Sequence, residues 1–194
     1  KAQLEVTGSK TKKVFATRTL STSNPKGLKK DYPYYTEVLS MLQNKIAWEI
    51  KKWFFQQDSI LSEEEANTWI ENTLLTMKDR TNSETLKKQI DTNIALLSEE
   101  TPSKFTHMTR SNFLEKAHNY LVFDQRAEVS IDYVDLDWEQ EKKANMVFDK
   151  ETTWRDQFWK MYYRPDKTIT RWEAAFFIAS LLNKNDSITL TSAR

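Results

Sequence analysis

Apolar residues recur along this chain at helical spacing, and polar positions mark where each helix should start. Tyr35, Leu39, Leu42, Ile46, Ile50 and Trp53 fall at three- and four-residue steps, which predicts a long helix from Pro33. Pro33 itself suits a first helical turn, where a missing N–H costs nothing. Ser62 followed by Glu65 forms a capping box ahead of Ala66, Ile70, Leu74 and Met77. A third helix starts near Ser83, with Leu86, Ile90, Ile94 and Leu97 on one stripe. After Pro102, Thr109 opens a fourth, carrying Phe113, Leu114, Ala117, Tyr120 and Leu121.

Residues 127–137 break the pattern. Val129, Ile131 and Tyr133 alternate with Ser130 and Asp132, which predicts a short strand or an extended connection. A fifth helix is expected over 138–162, with Trp138, Met146, Phe148, Trp154, Phe158, Trp159 and Tyr162. The sixth follows a turn at Arg164-Pro-Asp-Lys, where Pro165 fixes its own φ and pushes Arg164 towards extended conformations. Thr170 and Glu173 form its capping box, satisfying two first-turn donors. The run Ala174, Ala175, Phe176, Phe177, Ile178, Ala179, Leu181 and Leu182 then requires burial on most sides, and it is too short to cross a bilayer.

These elements predict an all-α protein, a bundle of six helices over 32–186, with a basic arm at 1–31 and a polar tail at 187–194. Both glycines, Gly8 and Gly27, lie in the arm, so the folded region has few positions suited to turn-dense β architecture. The chain is 194 residues long with a net charge of +1. That charge is unevenly spread: residues 1–31 hold seven Lys and one Arg against Glu5 and Asp31, a balance of +6, which leaves −5 for the rest. Such an arm suits an anionic lipid, nucleic acid or an acidic protein, although the near-neutral whole argues against nucleic acid.

Catalytic signatures are missing from the sequence. With no Cys there are no disulfides, thiolate metal sites or cysteine nucleophiles. His107 and His118 form no His-Glu-x-x-His arrangement, and neither a phosphate loop nor a nucleophile elbow occurs. Asp132, Asp135, Asp137 and Glu139 are the densest acidic cluster, but lack the glycine and ligand spacing of an EF-hand, so a solvated connection is the expectation. No cofactor, metal or enzymatic activity is expected.

Three helix entrances can be superposed: Ile60-Leu-Ser-Glu-Glu-Glu-Ala66, Met108-Thr-Arg-Ser-Asn-Phe-Leu114 and Ile169-Thr-Arg-Trp-Glu-Ala-Ala175, starting 48 and 61 residues apart. The stretch from Arg164 to Ala175 resembles the turn-and-helix signature of S-layer homology modules, and the stretch at Met108 looks like a degenerate second copy. The resemblance implies three helix-pair modules around a pseudo-threefold axis, an envelope or lumenal location, and non-covalent binding of an acidic cell-wall glycan. It makes Arg171 the first ligand-binding candidate and Arg110 the second, because a guanidinium fork matches a carboxylate. Trp172 and Arg164 join them as neighbours, Trp172 as a platform for a sugar ring. Ser62-Glu63 replaces Thr-Arg at the first entrance, and Trp159-Lys-Met-Tyr-Tyr163 replaces the family's glycine-rich approach. The alternative expectation is an accessory subunit of a larger assembly, docking through its basic arm and aromatic helices.

Overall fold

The computed structural model describes residues 35–47, 55–56, 58–123, 131–147, 154–155 and 161–191. The arm at 1–31, Trp48, Trp53 and Trp159 lie outside the described residues. Among those described, the architecture is mainly helical, with six helices: α1 (Tyr35–Gln43), α2 (Glu63–Arg80), α3 (Glu84–Ser98), α4 (Arg110–Leu121), α5 (Trp138–Val147) and α6 (Arg171–Thr191).

The caps act where polar residues foretold them. Ser62 accepts the Glu65 N–H at 3.2 Å, Ser83 the Leu86 N–H at 3.3 Å and Thr109 the Asn112 N–H at 3.1 Å. In α2, three glutamates in the first turn and Lys78 and Arg80 in the last also complement the helix dipole. Its buried stripe runs through Ala66, Trp69, Ile70, Thr73, Leu74 and Met77, and the helix stops at Thr81, which turns extended.

Three expectations are corrected. The first helix ends at Gln43 instead of reaching Trp53, because the chain passes through a left-handed residue, Lys45, at φ 57°. The fifth ends at Val147, and within its expected C-terminal half β1 (Trp154–Arg155) pairs antiparallel with β2 (Met161–Tyr162), while 148–153 and 156–160 lie outside the described residues. The last helix continues to Thr191, through most of the expected tail. Of the two forms expected at 127–137, Ile131 to Asp137 takes the connection, with a turn and a single parallel bridge from Tyr133 to Met161; residues 127–130 lie outside the described set.

What positions the rest is a closed ring of backbone hydrogen bonds among three helix entrances. The Leu61 N–H donates to the Ile169 carbonyl at 3.0 Å, Ile169 to Met108 at 2.9 Å, and Met108 back to Leu61 at 2.9 Å. One step outward the cycle repeats: Glu63 donates to Thr106 at 3.1 Å, Arg110 to Lys167 at 2.8 Å and Arg171 to Ser59 at 2.9 Å. Each outer bond satisfies a first-turn N–H that its own helix leaves without a partner. Leu61, Met108 and Ile169 are fully buried under the ring, whereas Ile60 is exposed. Leu61, not Ile60, is therefore the counterpart of Met108 and Ile169.

The helices obey the same order. α3 packs on α2, α5 on α4 and α1 on α6, so the first helix closes the circle against the last. The core gathers beneath the ring, with Phe113 and Phe177 at 6.1 Å between centroids and Phe55 stacked on Trp69 at 6.1 Å.

Candidate functional site: two arginine junctions and a third of opposite charge

The helix positions immediately after the caps are Glu63, Arg110 and Arg171, and the two arginines each reach the next helix around the ring. At the α2–α6 junction the Arg171 guanidinium lies 4.6 Å from the Phe55 ring centre and 5.1 Å from that of Trp69, and pairs with the Glu65 carboxylate. At the α4–α6 junction Arg110 lies 4.7 Å from the ring centre of Tyr163 and 5.5 Å from that of Phe177, and its Nη1 meets Glu173 Oε1 at 3.2 Å. The Tyr163 hydroxyl donates to the Arg110 carbonyl at 2.8 Å.

The two junctions match position by position. Phe55 and Tyr163 each stand six residues before the ring residue, Glu65 and Glu173 four after it, and Trp69 and Phe177 eight after it. A cation set against aromatic faces away from water gains about 2 kcal/mol in favourable cases. The adjoining carboxylate offsets the cost of burying its charge.

Burial sets the electrostatics. Desolvation draws the Arg171 guanidinium down to about 10, which leaves it charged at neutral pH. Arg110 is lowered by the same cause, against the opposing pull of Tyr163 and Glu173, and burial pushes the Tyr163 hydroxyl well up. Glu173 is held on several sides: it also accepts the Thr170 N–H at 3.0 Å and lies 3.3 Å from Lys167 Nζ.

These contacts enclose both arginines named as ligand candidates. Arg110 and Arg171 are both 0% exposed, and Glu173 is 1% exposed. Arg164 is exposed, and Trp172 is half-buried against the core edge. The four candidates thus do not converge on one open surface. The capping boxes are also split: at α2 the Ser62 half forms while Glu65 turns to Arg171, and at α6 Glu173 reaches the Thr170 N–H while the buried Thr170 Oγ1 has no hydrogen-bond partner.

The turn before α6 departs from expectation in a telling way. Arg164 is left-handed at φ 60°, not extended, and so is its counterpart Gln56 at φ 51°. Each carbonyl accepts an N–H three residues on, from Lys167 at 3.2 Å and from Ser59 at 3.0 Å. This is a conformation that glycine adopts without steric cost. Asp135 holds it from outside, accepting the Tyr163 N–H at 2.8 Å and the Arg164 N–H at 2.6 Å. Asp137 accepts the Gln140 N–H at the start of α5, so two members of the acidic cluster serve as backbone acceptors.

At the α2–α4 junction the polarity is reversed. Glu63 occupies the arginine position, Asn112 the glutamate position and Lys116 the place of Trp69 and Phe177. Glu63 Oε2 accepts the Ser103 N–H at 3.2 Å. Beside it, Glu100 accepts from Tyr120 Oη at 2.6 Å and Asn67 Nδ2 at 3.0 Å, and pairs with Lys116. Burial alone would raise the Glu100 carboxyl, but the hydrogen bonds from Lys116, Tyr120 and Asn67 outweigh it and lower it. Burial and the bond to Glu100 push the Tyr120 hydroxyl up to about 12.

Comparison with protein families, with curated proteins and with solved structures returns no match. Among the described residues, no helix is long and apolar enough to cross a membrane.

Proposed function

We propose that this chain is a non-catalytic scaffold module of a larger assembly, built from three divergent helix pairs of the S-layer homology type and working in the cell envelope. One observation carries this reading. The two arginines that the resemblance would offer to an external carboxylate are buried on carboxylates of the chain itself, where they join neighbouring helices. Phe105 and Trp138, 91% and 74% exposed, supply apolar anchors of the kind that protein interfaces bury.

A second reading, binding of an acidic glycan near Arg171, draws support from the neighbouring candidates, since Arg164 is exposed and Trp172 half-buried at the same helix entrance.

Co-sedimentation with purified acidic cell-wall polysaccharide separates the two. The scaffold reading expects no saturable, Arg171-dependent pelleting, and a native size in extracts of the source cells well above that of one chain. Saturable pelleting abolished by Arg171→Lys, in a protein whose circular dichroism is unchanged, overturns the scaffold reading in favour of the glycan. A single-chain size in those extracts overturns it as well.

A further inference from the structure

We propose that the α2–α4 junction is a receptor for a lysine side chain of residues 1–31, so that the basic arm docks on the body of its own chain. The ring supplies the reasoning. At the other two junctions a cation following a helix cap is set into the neighbouring helix, Arg171 against Glu65 and Arg110 against Glu173. At this junction the equivalent residue is Glu63, so the chain sends a carboxylate where its two counterparts send a guanidinium.

The local balance is acidic, with Glu63 and Glu100 set against Lys116. Glu63 and Asn67 are one helical turn apart, on one face of α2. The Asn67 amide donates its Nδ2 to Glu100 at 3.0 Å, and its Oδ1 is the other polar atom of the same amide. That Oδ1 is buried and has no hydrogen-bond partner, in a residue only 7% exposed. A buried acceptor without a donor is costly, and an ammonium is a group of three donors without acceptors. Glu63 is half-buried and the Glu100 side chain is 32% exposed, so the cluster is within reach from solvent.

The choice of occupant follows from charge. Residues 1–31 carry +6 and the remainder −5, and seven of the arm's cations are lysines. Thirty extended residues span about 100 Å, ample to reach any part of a body this size. Attraction between a tethered basic segment and an acidic site is strengthened further by effective concentration.

Zero-length carbodiimide coupling of the full chain at low concentration, mapped by mass spectrometry, tests this directly. The ion pairs Lys116–Glu100 and Lys143–Glu115 are internal controls for the chemistry. Links from arm lysines should concentrate on Glu63 and Glu100. The Glu63→Arg variant, which installs the ring's usual cation, should lower the Glu100 links about fivefold. Glu63→Gln should lower them less. The proposal is overturned if the control links form while arm lysines couple elsewhere, or if the Glu100 links keep their yield in Glu63→Arg. It is overturned equally if mixing light and heavy isotope-labelled chains shows that the links run between chains.

Discussion

Replacing Arg171 with alanine removes a buried cation and leaves the Glu65 carboxylate at the α2–α6 junction without it. Deleting one partner of a buried pair costs about 3–5 kcal/mol. Arg171 is fully buried, but the Glu65 side chain keeps 15% of its exposure, so the lower part of that range applies. Loss of the guanidinium over Phe55 and Trp69 adds up to about 2 kcal/mol. For a domain of this size each kcal/mol moves Tm by about 2–4 °C, so Arg171→Ala should melt about 10 °C lower. Thermal unfolding followed at 222 nm gives the number. Arg171→Met with Glu65→Leu should recover most of the loss, because apolar residues of similar volume replace buried pairs well. A shift below about 2 °C for Arg171→Ala, or strict additivity in the double-mutant cycle, would refute a structural role for this pair.

The caps should differ in sensitivity to urea. Ser62→Ala and Thr109→Ala should each lose about 1 kcal/mol, whereas Thr170→Val should lose almost nothing, since the Thr170 hydroxyl caps no N–H. At the left-handed turn, Arg164→Gly should hold or slightly raise stability in urea unfolding, and Arg164→Val should lower it by more than about 1 kcal/mol. The Tyr120–Glu100 bond predicts two pH limbs. Tyr120 is raised in the folded state, so its contribution is full below pH 10 and is lost as pH climbs through about 12. Glu100 is lowered, so its contribution is full above its ordinary value of 4.5 and is lost as pH falls through the folded one. Tyr120→Phe should flatten the alkaline limb of urea midpoint against pH, and an unchanged limb would contradict the assignment.

Helix starts were legible in the sequence because their signals are local. Ser62, Ser83 and Thr109 each bond a backbone N–H three residues away. Helix ends were less so. Lys45 and Arg164 take left-handed conformations without glycine, and what holds Arg164 is Asp135, 29 residues earlier in sequence. The partners of the arginines were hidden for the same reason, since Arg110 meets its carboxylate 63 residues away. A signal did exist. Arginine follows the cap at two entrances, and glutamate stands two places later in the frame at two entrances, Glu65 and Glu173. Equal numbers of complementary charges at fixed places in a repeat suggest that they pair with one another. Phe55, Tyr163, Trp69 and Phe177 would have followed as the aromatic walls of the same two junctions.

The ring also sets an order of events during synthesis. Every inner bond joins segments separated by 47 residues or more, and two of the three require Ile169. While a ribosome is still making α5, only Met108 to Leu61 can form, and the first-turn N–H of Arg110 still lacks the Lys167 carbonyl. The nascent chain therefore emerges with its central joint unfinished, and cooperative stability should arrive in one late step. Long-range closure of this kind is slow compared with local helix formation. Arrested chains of increasing length should resist protease abruptly once the buried part of α6, through Leu182, has cleared the exit tunnel, and hardly at all before it.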